Sequence, residues 1–140
     1  MIITKYFNDL KEYSLCHKTL LELLRFVNDF IEKEFKRDVV VTEIYRSEEE
    51  QLALCKKNEV EMYVTWHMLL PVQAIDIRTF NFTKVEINRL LQVIQDNWTC
   101  DKSGRPCALY HKSGNGAYHI HLQVCDETIH HNKPCDLCHL

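Results

Sequence analysis

Glycine and proline are scarce, with three of each in 140 residues, so long disordered linkers are not expected. An excess of charge of one sign is also missing. Seventeen basic and twenty acidic residues are mixed along the chain for a formal net charge of −3, which gives no electrostatic reason for a nucleic-acid partner or an anionic membrane surface. No apolar run approaches the length that spans a bilayer, so no membrane span is expected. The segment Met1 to Asp9 lacks the basic start, apolar middle and small-residue cleavage site of a secretory signal. Cytoplasmic synthesis is therefore expected. There is no internal repeat and no low-complexity block.

Against these absences, apolar residues make up 46% of the chain and charged residues 26%, the proportions of a soluble globular protein. The length suits one domain with a hydrophobic core that needs no disulfide staples. Seven cysteines are present, an odd number. Without a secretory signal they read as free thiols or metal ligands rather than a disulfide framework. Cys16 and Cys55 fall inside apolar helical patterns and read as small buried hydrophobes.

Helical periodicity runs from about Leu10 to Lys36, carried by Leu20, Leu23, Leu24, Val27, Phe30 and Ile31. The β-branched run from Val39 to Tyr45 reads as a strand. Ser47 with Glu50 forms a capping box for a helix to about Lys57, and Thr83 with Glu86 another for a helix to about Trp98. Between them, Val72 to Arg78 alternates as a strand, with Gln73, Ile75 and Ile77 against Ala74, Asp76 and Arg78. Cys107 to Tyr110 and Ala117 to Val124 read as two strands joined by a turn around Ser113-Gly114-Asn115-Gly116. The expected fold is α+β, an antiparallel sheet packed against helices on one side. Residues 1–125 form its domain, and residues 126–140 a polar, irregular, Cys/His-rich tail.

Chemistry concentrates in Tyr118-His119-Ile120-His121-Leu122-Gln123-Val124. Alternation sends Tyr118, Ile120, Leu122 and Val124 toward a core and lets His119, His121 and Gln123 project together from the other face. Asp76, flanked by Ile75 and Ile77, is a carboxylate in an apolar strand. It must be paired, hydrogen-bonded or coordinated to a cation. Arg78, two residues on along the same face, is the ion-pair rival to a cation. His67 lies ahead of that strand. Two imidazoles and one carboxylate are a ligand set that zinc accepts, with a fourth position left for water.

The order Tyr45-Arg46-Ser47, then His67 with Ala74-x-Asp76, then the His119-x-His121 strand resembles the M15-type zinc peptidases. These are the D-alanyl-D-alanine carboxypeptidases and L-alanoyl-D-glutamate endopeptidases, including phage endolysins, whose metal site is shared with lysostaphin-type enzymes and the hedgehog signalling domain. The resemblance spans roughly Thr42 to Val124. It implies that His67, Asp76 and His121 hold one catalytic zinc and that Arg46 binds a substrate carboxylate or the developing oxyanion. An ordinary surface arginine near a helix start is the other reading of Arg46. Three departures accompany the likeness. Eight residues separate His67 from Asp76, more than the family's usual spacing. Tyr118 stands where the family commonly has an acidic general base, leaving His119 as the substitute base and Glu43 or Glu48 as alternatives. The stretch from Trp98 to Gly116 does not align.

By this resemblance the expected function is zinc-dependent hydrolysis of short peptide bonds in bacterial cell-wall peptide. The protein would be a monomer acting at the wall after lysis or in a virion. Two other classes stay open. One is a catalytically inactive, zinc-stabilised binding or phage structural protein of the same fold. The other is a metal- or redox-responsive protein acting through its tail thiols. The tail, His130-His131-Asn132-Lys133-Pro134-Cys135-Asp136-Leu137-Cys138-His139, contains Cys-x-x-Cys-His, formally a haem-attachment motif but read here as a chance match. A second, structural zinc on Cys135, Cys138 and one or two of His130, His131 and His139 is one expectation for it. A frayed end with free thiols is the other.

Overall fold

Ser47 and Thr83 start the two shorter helices as their sequences dictate. In each case the hydroxyl accepts from the backbone N–H three residues on, and the glutamate there reaches back to the cap's own N–H. The computed structural model describes residues 1–4, 12–112 and 116–131. Three helices are present among them: α1 (Lys18–Phe35), α2 (Glu48–Lys57) and α3 (Lys84–Asn97). The main sheet contains β1 (Ile2–Thr4), β2 (Val39–Glu43), β3 (Ala74–Arg78), β5 (Ala108–Lys112) and β6 (Tyr118–Gln123), in spatial order β1-β2-β3-β6-β5. The β1–β2 pair is parallel and the other pairs are antiparallel. The α+β architecture expected from the periodicities is the one observed.

Two expectations about elements change. Among the described residues the long helix begins at Lys18 and does not run unbroken through Cys16, because another partner claims the backbone ahead of it. Val72 N–H donates to the Leu15 carbonyl at 2.7 Å and His17 N–H to the Val72 carbonyl at 2.8 Å, which holds Cys16 extended beside Val72. The His17 ring then caps the helix by accepting from Thr19 N–H at 3.1 Å. Residues 5–11 and the turn residues 113–115 lie outside the described residues. The region after Val124 is also less irregular than its composition suggests. A two-stranded sheet pairs β4 (Trp98–Thr99) with β7 (Ile129–His130), and the His130 ring stacks on Trp98 with centroids 4.3 Å apart.

The sheet has two different faces. On one, Ile75, Ile77, Ile120 and Leu122 are buried against Leu20, Leu23, Leu24, Val27 and Ile31 of α1 and Ile87, Leu90 and Ile94 of α3. Each such aliphatic side chain contributes about 1.5–3 kcal/mol of burial free energy. On the other face, cross-strand pairing aligns Glu43, Asp76 and His121 in one row and Arg78, His119 and His111 in the next. Tyr118 departs from the expected inward alternation. It is exposed at the sheet's end and stacks on Tyr110, with ring centroids 5.1 Å apart.

A bulge in β2 sets the first row. Val41 pairs with Ile77 but Glu43 with Asp76, so Thr42 is the extra residue, and its hydroxyl donates to the Asp76 carbonyl at 3.4 Å. Without the bulge Thr42 would lie opposite Asp76, and Glu43 would leave this face.

The core face predicts an ordering of costs. Ile75→Ala should lower unfolding free energy by about 2–5 kcal/mol, whereas Thr83→Ala, which removes one cap, should cost about 1 kcal/mol. Urea midpoints at constant slope measure both, and equal shifts would place Ile75 outside the core.

Candidate metal centre

Asp76 sits at the middle of β3, with His121 of β6 its direct cross-strand partner. His67 arrives from a short 3-10 turn, Trp66–Met68, in the connection between α2 and β3. That turn is anchored by Arg46 N–H donating to the His67 carbonyl at 3.0 Å and Gln73 N–H to the Trp66 carbonyl at 3.4 Å. The long spacing between His67 and Asp76 is absorbed at the surface, where Leu70 and Pro71 are exposed. The three side chains are 2%, 6% and 8% exposed for His67, Asp76 and His121.

Their donor atoms converge. His67 Nε2 lies 3.2 Å and His121 Nδ1 3.0 Å from Asp76 Oδ1, and the set is able to hold a metal ion. The rings' second nitrogens decide what kind of contact this is. His67 Nδ1 is 2.8 Å from the Ile44 carbonyl oxygen, which can only accept, so that nitrogen carries the proton. His121 Nε2 is 3.1 Å from Gln123 Oε1. The Gln123 amide is oriented by its Nε2 donating to the Pro106 carbonyl at 2.7 Å, so Oε1 is an acceptor and His121 carries its proton on Nε2. Both neutral imidazoles therefore direct lone pairs at a carboxylate oxygen. Three acceptors within hydrogen-bond distance repel one another unless a positive charge, proton or metal ion, sits among them.

The electrostatics of the metal-free site agree. Burial alone would push the His67 imidazole down, but the charge and hydrogen bond of Asp76 and the Ile44 carbonyl outweigh it and hold His67 above its ordinary value. Burial likewise opposes the Asp76 charge. The charge of His67, the hydrogen bonds of His121 and His67 and the charge of His119 overcome that and hold the carboxyl well below the usual carboxylate range. Both shifts run in the direction that favours an anion with positive charge beside it.

The remaining expected residues cluster around this centre. His119 Nε2 lies 3.5 Å from Asp76 Oδ2, the carboxylate's second oxygen. Arg46 donates from Nε to Glu43 Oε1 at 3.0 Å and from a terminal nitrogen to Gln51 Oε1 at 2.8 Å. It is thus a held residue rather than a loose surface arginine. Glu43 is pushed up by burial, against the lowering effect of Arg46. Glu43, Arg46, Asp76, Arg78, Tyr118 and His119 line an open cleft of about 360 Å³. Glu48 is exposed and is not part of that lining. The rival ion pair is not the arrangement found, since the Arg78 guanidinium lies over the Phe80 ring at 5.1 Å. A larger cavity of about 680 Å³ is lined by Leu91, Ile94, Trp98 and Leu109 among others. None of the three convergent side chains borders it, so donor chemistry rather than size locates the site.

Three participants escape a reading of residue types alone. Gln123 is visible as a same-face neighbour of His121, but its hold on the His121 tautomer depends on the Pro106 carbonyl. Gln51 reaches Arg46 from α2 and is fully buried. His111 lies opposite His119, with ring centroids 4.6 Å apart. Burial and the charges of His119 and His121 push its imidazole down. The hairpin register could have found His111, had the strand been extended past Tyr110. The tail cysteines Cys135 and Cys138 and His139 lie outside the described residues. Of the other histidines expected there, His130 stacks on Trp98 and His131 Nε2 is hydrogen-bonded to Thr99 Oγ1.

Two predictions follow from the geometry. Gln123→Leu, which frees the His121 ring while keeping His67, Asp76 and His121, should weaken zinc binding about 10–100-fold by competitive titration, and unchanged affinity would detach Gln123 from the centre. The metal-free protein should lose stability as pH rises. A His67 value raised by folding adds stability that is fully present below about pH 6.5, the unfolded imidazole value, and is lost as pH rises through the higher folded value. The stabilisation by added zinc should grow over the same interval, as its competitor proton leaves. Thermal melts with and without zinc across that range check both signs, and a flat metal-free profile would contradict them.

The chain matches no protein-family model, no curated protein and no solved structure, so the meaning of this centre rests on its own donor set.

Proposed function

We propose that the protein is a zinc-dependent peptidase hydrolysing short peptide bonds of bacterial cell-wall peptide. One observation carries this reading: the lone pairs of His67 and His121 converge on the Asp76 carboxylate, which itself lines an open cleft. Two neutral nitrogens and one carboxylate suit zinc, and three protein ligands are the number typical of its catalytic sites. Bound there, zinc would supply a Lewis acid for a scissile carbonyl and bring the pKa of water down to roughly 7.

The chain's own residues provide the rest. His119 stands beside the carboxylate in the next cross-strand row, the place from which a base takes the proton of attacking water and returns it to the leaving amine. Arg46, aligned by Glu43 and Gln51, presents a guanidinium to the cleft for a substrate carboxylate or an oxyanion. Glu43, in the same cleft and pushed up by burial, is the second candidate for the proton carrier. Cell-wall stem peptide as the substrate rests on the likeness to the M15-type peptidases. No helix among the described residues is long and apolar enough to cross a membrane, and action at the wall after lysis or in a virion belongs to the same proposal.

The chief alternative is a zinc-stabilised binding or phage structural protein of the same fold. Its support is specific: at position 118, where the resemblance calls for an acid, stands an exposed tyrosine stacked on Tyr110.

The two readings separate in one experiment. Zinc-loaded protein should release new amines from purified peptidoglycan, and His119→Ala should lower that rate by about a hundredfold to ten-thousandfold while zinc content stays the same. A wild type silent on walls of several chemotypes would sink hydrolysis and leave the binding protein. Activity that survives His119→Ala would pass the proton-carrier role to Glu43.

A further inference from the structure

Away from the centre just described, a second group of metal-ligating side chains gathers where three segments meet. Cys100 follows β4, Cys107 precedes β5 and Cys125 follows β6. The sulfurs of Cys100 and Cys125 and a carboxylate oxygen of Asp101 all lie within 4.8 Å of one another. Cys107 is tied to the same strand residue as Cys100, since Gln123 N–H donates to the Cys107 carbonyl at 2.8 Å and the Cys100 thiol donates to the Gln123 carbonyl at 4.0 Å. Cys100 and Cys107 are buried, and Cys125 and Asp101 half-buried.

The backbone around them is firmly placed. The Cys100 carbonyl accepts from the Thr128 hydroxyl at 2.9 Å and from the Cys125 thiol at 3.2 Å, while Cys125 N–H donates to Thr128 Oγ1 at 2.8 Å. Asp101 is oriented by Ser103 N–H at 2.9 Å, and Arg105 Nε lies 3.8 Å from its other oxygen. Three cysteines brought together from three segments, with a carboxylate beside them, are unusual as plain core filling. Packing alone would be served by valine or alanine.

We propose that Cys100, Cys125 and Asp101, completed by Cys107, form a second metal site that takes zinc as a structural ion. Three sulfurs and one carboxylate oxygen make a closed four-ligand set, and thiolate ligands favour zinc over magnesium or calcium. The bound thiols are deprotonated, so loading releases up to three protons per ion, and Arg105 offsets part of the resulting negative charge. The ion would fasten the segment after β4 to the turn after β6. Pro106, whose carbonyl fixes Gln123 and through it the His121 tautomer, lies in the fastened segment. The second site thereby supports the first, although its existence does not depend on the peptidase reading.

Wild-type protein decides the matter without a substitution that threatens folding. Protein loaded with zinc, and the same protein after chelation, are each treated with an alkylating agent and mapped by mass spectrometry. Cys125, the half-buried thiol of the three, should be protected only when metal is present. Cobalt in place of zinc should give the near-ultraviolet thiolate charge-transfer band, retained in His67→Ala and lost in Cys125→Ser. Protection of Cys125 unaffected by chelation would overturn the proposal, as would a peptide mass short by two hydrogens, the mark of a disulfide. A band that survives Cys125→Ser but disappears on Cys135→Ser would assign the thiolate metal to the C-terminal cysteines, and would overturn it equally.

Discussion

A carboxylate at the centre of a five-stranded sheet, between two buried isoleucines, carries a desolvation penalty of several kcal/mol unless positive charge offsets it. Asp76 is in that position, and much of the polar face is arranged around it. His121 faces it from β6, the turn bearing His67 folds back over it, and the β2 bulge brings Glu43 alongside. Removing one of these partners would leave the others repelling each other in a poorly solvated space. The same interaction that would be a liability in an empty core is, with a cation, the means of holding three segments together.

The tautomers show how far this arrangement reaches. Backbone carbonyls of Ile44 and Pro106, from opposite sides of the sheet's polar face, determine which ring nitrogens are left unprotonated, one directly and one through Gln123. Such outer partners orient the ligands and raise their basicity. Arg46 repeats the pattern beside the cleft, where Glu43 and Gln51 fix the guanidinium. Preorganisation of this kind puts the ordering cost into folding instead of binding.

Much of this was legible in the sequence, and the rest was hidden for physical reasons. The capping boxes at Ser47 and Thr83 are local hydrogen-bond patterns, so four-residue windows reveal them. Period-two alternation placed His119, His121 and Gln123 on one face because side-chain direction in a strand is a local property. The break ahead of α1 at Cys16 is invisible to helical periodicity, which says nothing of a competing partner such as Val72, more than fifty residues away. The bulge at Thr42, the pairing of His111 with His119 and the gathering of Cys100, Cys107 and Cys125 depend on register between distant segments. No spacing rule within one segment carries that information. Tyr118 shows the limit of alternation, since a correct phase does not ensure that anything covers the strand's end.

The central claim is that His67, Asp76 and His121 present three unprotonated donors to one cation. Anomalous diffraction at the zinc edge, from crystals grown with zinc, tests it most directly. The account predicts a peak bonded to His67 Nε2, Asp76 Oδ1 and His121 Nδ1 at about 2.0–2.2 Å, with the opposite ring nitrogens still on Ile44 and Gln123. Zinc bound only elsewhere, or imidazoles turned so that their N–H groups face Asp76, would contradict it.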